Sequence, residues 1–142
     1  MTDEEFWNVL TEHGAPERTV KTLKEAIAHS SSWIEKTKNA VDTFISENRL
    51  PEKSIVAAVL GSVGRYEALQ ASDLDIMPIT DAGYELPLEL DAALRKAISD
   101  SVGIKVSKGE DLTQRTQVPD LVNPDSIGTD DDSPSLLSRR IM

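Results

Sequence analysis

The chain has 142 residues, of which 39% are hydrophobic, 28% charged and only 4% aromatic, and its formal net charge is -10. That length suits one domain of the usual ~100–200 residues, with a core built mainly from Leu, Ile, Val and Ala. So acidic a surface argues against bulk nucleic-acid binding, which needs clustered Lys and Arg, and the lack of cysteine excludes disulfides and thiolate metal sites.

The acidic start Met1-Thr2-Asp3-Glu4-Glu5 has neither the basic region nor the apolar run of a signal peptide. No apolar stretch approaches the roughly 20 residues that span a bilayer. The expectation is a cytoplasmic protein with no membrane partner. Residues 3–13 read as a short helix with Phe6, Trp7, Val9 and Leu10 on its apolar side, stopped by Gly14-Ala15-Pro16. A longer helix is expected from about Glu17 to Asn48. Its apolar positions are Val20, Leu23, Ile27, Ile34, Val41, Phe44 and Ile45, with Trp33 alongside. Ser30-Ser31-Ser32 interrupts the pattern and marks a bend or break. The narrow stripe packs on the domain or, alternatively, forms a homodimer seam.

Arg49-Leu50-Pro51-Glu52-Lys53 breaks the helix. Residues 54–60 are a short apolar run rich in β-branched residues and ended by Gly61, which favours a buried strand. Residues 61–67 turn and start a short helix. Residues 73–79 suit a second strand with one face open, and Pro78 belongs at a strand end or edge where no ladder bond is needed. Asp81-Ala82-Gly83-Tyr84 is a turn. Residues 86–101 read as a helix with Leu90, Leu94, Ala97 and Ile98 inward and Gly103 as its cap. Residues 104–107 read as a third short strand, and residues 110–132 as loop. Ser133-Pro134-Ser135 then starts a helix through Leu136, Leu137, Arg139, Arg140, Ile141 and Met142, expected to be the cut beginning of a longer one.

The organisation expected is an N-terminal helical segment at 1–50, a core at 51–130 and the start of a helix at 131–142. His13 and His29 read as surface residues, Trp7 and Trp33 as packing residues, and Asp130-Asp131-Asp132 as a solvated acid cluster.

The chemistry lies in the middle of the chain. Asp73 and Asp75, one residue apart on a strand, put both carboxylates on one face and Leu74 and Ile76 on the other. Two hard oxygen ligands can hold Mg²⁺, which keeps waters and takes substrate phosphates as further ligands. A solvated acid pair is the plain alternative. Gly61-Ser62-Val63-Gly64 directly follows the apolar strand. Glycine permits close backbone approach to a phosphate, Ser62 offers a hydroxyl, and Arg65 can steer phosphate or pair with a nearby acid. A plain strand-to-helix turn is the alternative here, and neither the Walker pattern nor the full dinucleotide fingerprint is matched.

In combination, Gly61, Ser62 and Arg65 followed by Ser72, Asp73 and Asp75 resemble the nucleotidyltransferase superfamily that includes DNA polymerase beta. The variant Gly61, Gly64, Arg65 and Glu67 looks closer to the protein-PII uridylyltransferases and related bacterial nucleotidyltransferases. The resemblance covers residues 54–80 and extends weakly to Ser107. It implies an α+β fold with a small mixed or antiparallel sheet flanked by helices, and transfer of a nucleoside monophosphate from a nucleoside triphosphate to a hydroxyl acceptor such as one on a protein. Asp73 and Asp75 would then be catalytic metal ligands for Mg²⁺ or Mn²⁺. Gly61, Ser62, Gly64, Arg65 and Ser72 would bind the nucleotide, and Glu67 would brace the loop. The family also has a third carboxylate on a later strand. The strand at 104–107 carries none, which leaves Glu110 or Asp111 for that place. The alternatives are a nucleotide-binding regulatory module without turnover, and an antitoxin-like partner protein.

Overall fold

In a computed structural model of the chain, which describes residues 3–52, 54–81, 83–106 and 116–119, Gly14-Ala15-Pro16 separates helix α1 (Asp3–Glu12) from helix α2 (Glu17–Glu47). Helix α2 runs unbroken through Ser30-Ser31-Ser32, against the expected bend. The reason is tertiary. Ser30 is fully buried, and its hydroxyl accepts a hydrogen bond from the Ala68 N–H at 3.2 Å. A hydroxyl with that use does not compete for the helix's own backbone.

The buried row of α2 is Val20, Ala26, Ser30, Trp33, Thr37, Ala40, Val41 and Phe44. Four of these are small, which lets neighbouring elements approach closely. Leu23 and Ile27, expected to face inward, lie on the flank and stay exposed. Trp33 is a packing residue in the main core, with the His29 ring beside it at 5.9 Å. On α1, Trp7 meets Phe6 edge-on and lies under the Lys24 ammonium at 5.4 Å.

The β-branched run forms strand β1 (Ile55–Val59), antiparallel to β2 (Ile76–Thr80), with Ile55 opposite Thr80 and Val59 opposite Ile76. The four-residue helix α3 (Gly61–Gly64) lies between them in sequence. Helix α4 (Leu88–Val102) follows β2 and ends on Gly103 at φ +79°. The third strand is not where the alternation put it. Residues 104–106 contribute only a parallel bridge, Leu74 to Val106, and strand β3 is Thr116–Gln117, parallel to the end of β2. The sheet is mixed, in the order β1-β2-β3, and the protein is α+β. Ser107 and the helix expected at 133–142 lie outside the described residues, as do Asp130-Asp131-Asp132 and most of the loop expected at 110–132. No described helix is long and apolar enough to cross a membrane.

Helix α2 supplies Trp33, Ala40, Val41 and Phe44 to the same core that holds Ile55, Val63, Leu74, Ile76, Leu94 and Ile98. The N-terminal helical segment and the sheet therefore share one apolar interior.

Pro78 sits mid-strand and buried, not at an end. The register explains how it is tolerated. The Leu60 N–H donates to the Asp75 carbonyl at 2.8 Å, so ladder bonds to β1 recur at alternate residues, and Pro78 falls on a non-bonded pair with Ala57. Its nitrogen points toward the β3 side of the strand, between the level of the Leu74–Val106 bridge and that of the Ile79–Thr116 pair. The Ile76 carbonyl faces the same side, where Arg95 donates to it from Nη1 at 3.2 Å and to Asp91 Oδ1 from Nε at 3.0 Å. Both charged side chains are buried, beside Leu94 and Ile98 on the inward face of α4. Burial makes each charge dependent on the other, because an ion stripped of water and of its partner is costly. Replacing Arg95 with Leu should cost about 3–5 kcal/mol in urea unfolding. Replacing Asp91 and Arg95 together should recover part of that loss.

Candidate functional site

Strand β1 delivers Leu60, buried and extended, to the start of a tight turn. The bond from the Leu60 N–H to the Asp75 carbonyl carries the antiparallel pairing one step past β1, which seats the turn directly on Asp75. Gly61 follows with φ +61°, and a Cβ there would stand 2.6 Å from Asp75 Oδ2. Only glycine satisfies both the backbone angle and the contact. Gly64 is needed for a separate reason, since a Cβ on it would strike the Val59 carbonyl. Val63, fully buried, pins the turn to the core.

The C-terminal side of α3 closes through two backbone bonds, Tyr66 N–H to the Val63 carbonyl at 3.0 Å and Glu67 N–H to the Ser62 carbonyl at 2.7 Å. Arg65 Nε donates to Glu67 Oε2 at 2.9 Å, with both side chains more than half exposed. Such a pair contributes little to stability. Here it ties the side chains on either side of Tyr66. Ser72 is held in its own small turn, its hydroxyl accepting from the Leu69 N–H at 3.0 Å and its N–H donating to the Leu69 carbonyl at 2.9 Å.

The acids lie just before β2. Leu74 and Ile76 are fully buried, while Asp73 is exposed and Asp75 half-buried, which is the period-two alternation of a strand. Burial raises the Asp75 pKa above the ordinary carboxylate value, and the neighbouring Asp73 charge adds to the shift. Two negative groups, one partly stripped of water, are a place where a divalent cation would relieve both burdens. Mg²⁺ binds through one or two carboxylates with waters and phosphates completing its shell, so the donor set fits such an ion. Among the described residues no group of three or more His, Cys, Asp or Glu side chains gathers there or elsewhere, and Glu110 and Asp111 lie outside the described residues.

The third-strand position carries a surprise. Leu74 pairs with Val106 in parallel, and the Leu74 N–H donates to the Lys105 carbonyl at 3.0 Å. Paired residues share a face, so Lys105 stands in register with Asp73, on the side opposite buried Leu74 and Val106. A lysine, not a third acid, occupies the strand position beside the pair. Lys105 and Tyr66 were not singled out from sequence. The alternation in residues 104–106 did put Lys105 on the face away from the core, but its neighbour depends on register.

Gly61 and Asp75 are thus in contact, with Ser62 and Gly64 in the same turn. Arg65 is engaged with Glu67, and Ser72 with Leu69. No protein-family model, curated protein or solved structure matches the chain.

Gly61→Ala should destabilise the fold by about 1–3 kcal/mol, from backbone strain and the collision with Asp75. Asp75 tests the site's electrostatics. Its pKa is raised in the folded chain, so the protonated form is the better tolerated one, and stability falls as pH rises through that raised value. Asp75→Asn should therefore raise the melting midpoint at neutral pH. The advantage should vanish below the unfolded carboxyl pKa of about 3.9.

Proposed function

We propose that the turn at residues 61–67 and the acids Asp73 and Asp75 form one nucleotide site. It binds a nucleoside triphosphate with Mg²⁺ or Mn²⁺ and transfers the nucleoside monophosphate to a hydroxyl acceptor. The observation that carries this is the close approach of the Gly61 backbone to the Asp75 carboxylate, which joins the glycine turn to the acid pair. An unrelated turn and a solvated acid pair would have no reason to require glycine at their junction.

In this function Asp73 and Asp75 hold the cation. When bound, it neutralises charge on the phosphates. The glycine turn admits a phosphate close to the backbone, and the Ser62 hydroxyl donates to a phosphate oxygen. Arg65, steadied by Glu67, supplies positive charge on the exposed side of the turn. The acceptor oxygen forms a bond to the α-phosphorus. The bond from that phosphorus to the bridging oxygen breaks, pyrophosphate leaves, and the acceptor proton passes to solvent or a base. Positioning and charge stabilisation supply most of the rate in such transfers.

A second reading is a nucleotide-binding regulatory module without turnover. Lys105 favours it. The strand position beside Asp73 carries a cation where a third carboxylate would help activate the acceptor.

Calorimetric titration with ATP, GTP, CTP and UTP, each with and without Mg²⁺, tests the site. Binding should require Mg²⁺ and weaken at least tenfold in Asp73→Ala/Asp75→Ala, about 1.4 kcal/mol or more. Equal binding by that double variant would refute the assignment of the acids. Pyrophosphate release with a supplied acceptor distinguishes transfer from binding alone.

A further inference from the structure

The residue after Arg65 has a backbone that its side chain does not favour. Tyr66 sits at φ +61°, and it occupies the position just past the C-cap of α3. The bonds from Tyr66 N–H to the Val63 carbonyl and from Glu67 N–H to the Ser62 carbonyl form the paired closure that ends many helices. In that closure this position is usually glycine, because left-handed backbone is free of cost only without a Cβ. A bulky aromatic here is a true outlier. Burial does not explain it, because Tyr66 is 48% exposed. The strain therefore brings no core packing in return, and strain of this kind clusters where a side chain has a task.

The location suggests the task. Tyr66 belongs to the same seven-residue turn whose first residue, Gly61, touches Asp75. The ion pair of Arg65 with Glu67 straddles it and ties the side chains on either side. The result is an exposed, flat, amphipathic ring on the turn that begins at Gly61.

We infer that Tyr66 is the stacking platform for the base of the bound nucleoside triphosphate, so that the base is held by its aromatic face and not by its hydrogen-bonding edge. This rests on the nucleotide site proposed above. Stacking of this kind tolerates any base, because every base has a π-face. It follows that the four nucleotides bind with similar affinity, and that purines, with the larger face, bind somewhat more tightly.

Glycine at this position makes a clean test, because it removes the ring and relieves the strain at once. In Tyr66→Gly the melting midpoint should rise by a few degrees. Affinity for ATP with Mg²⁺ should fall about tenfold, within the range that base stacking supplies. Inorganic tripolyphosphate with Mg²⁺, which has no base, should bind wild type and Tyr66→Gly alike. Tyr66→Phe, which keeps the ring, should bind ATP within about twofold of wild type. Unchanged ATP affinity in Tyr66→Gly would overturn the inference while leaving the site intact. So would an equal loss for ATP and tripolyphosphate, which would mark a general effect on the turn. A lower melting midpoint would remove its premise of strain. Failure of the wild-type chain to bind either probe would remove the nucleotide site itself, and the platform with it.

Discussion

Gly61 lies so close to the carboxylate of Asp75 that a Cβ on it would stand 2.6 Å from Oδ2, and the hydrogen bond from Leu60 to the Asp75 carbonyl holds the turn there. This contact requires an antiparallel strand pair to deliver both residues to one level of the sheet. It also requires a residue with no side chain at positive φ. Once both conditions are met, the chain must turn sharply. Gly64 must then pass under the Val59 carbonyl, and the short helix must close through the Tyr66 and Glu67 N–H groups. The geometry of the candidate site is thus a consequence of one close approach. It leaves a half-buried carboxylate beside an exposed one, a charge arrangement that favours a cation.

A second constraint supports the first. Strand β2, which has Asp75 at its entry, pairs with β3 at Ile79 and Thr80. Its buried backbone polar groups need partners, because they lose water on folding. Pro78 removes one donor from that side, and Arg95 supplies a donor to the Ile76 carbonyl. Ser30 plays a comparable part behind the turn, where its hydroxyl satisfies the Ala68 N–H from the middle of α2. The long helix is therefore more than an apolar backing for the sheet. It delivers a polar group to the loop between the turn and the acids.

Much of this is legible in the sequence where the cause is local. The run at 54–60 is short, apolar and β-branched. The alternation of Asp73, Leu74, Asp75 and Ile76 has the period of a strand, and Gly103 marks the end of α4. The glycines and acids could be singled out because their chemistry is unusual for plain packing. What escaped depends on partners far along the chain. Ser30 looks like a helix breaker until its partner, 38 residues away, is known. Asp91 and Arg95 look like a surface pair at helical spacing, yet they face inward, where Arg95 donates to the Ile76 carbonyl. The third strand depends on partners too: among the described residues it is a bridge at Val106 and a short strand at Thr116–Gln117. Tyr66 was invisible because its meaning lies in a dihedral angle and not in its identity.

The unity of the turn and the acid pair can be measured directly. Mn²⁺ added in small amounts to ¹⁵N-labelled protein broadens amide signals near the ion, without any need for a substrate. If the two segments form one cation site, the amides of residues 61–64 and 73–76 should broaden together at the lowest Mn²⁺ concentrations, and Asp75→Asn should abolish the effect in both. Broadening confined to residues near Asp73, or spread over the exposed acids with the glycine turn unaffected, would contradict a joint site.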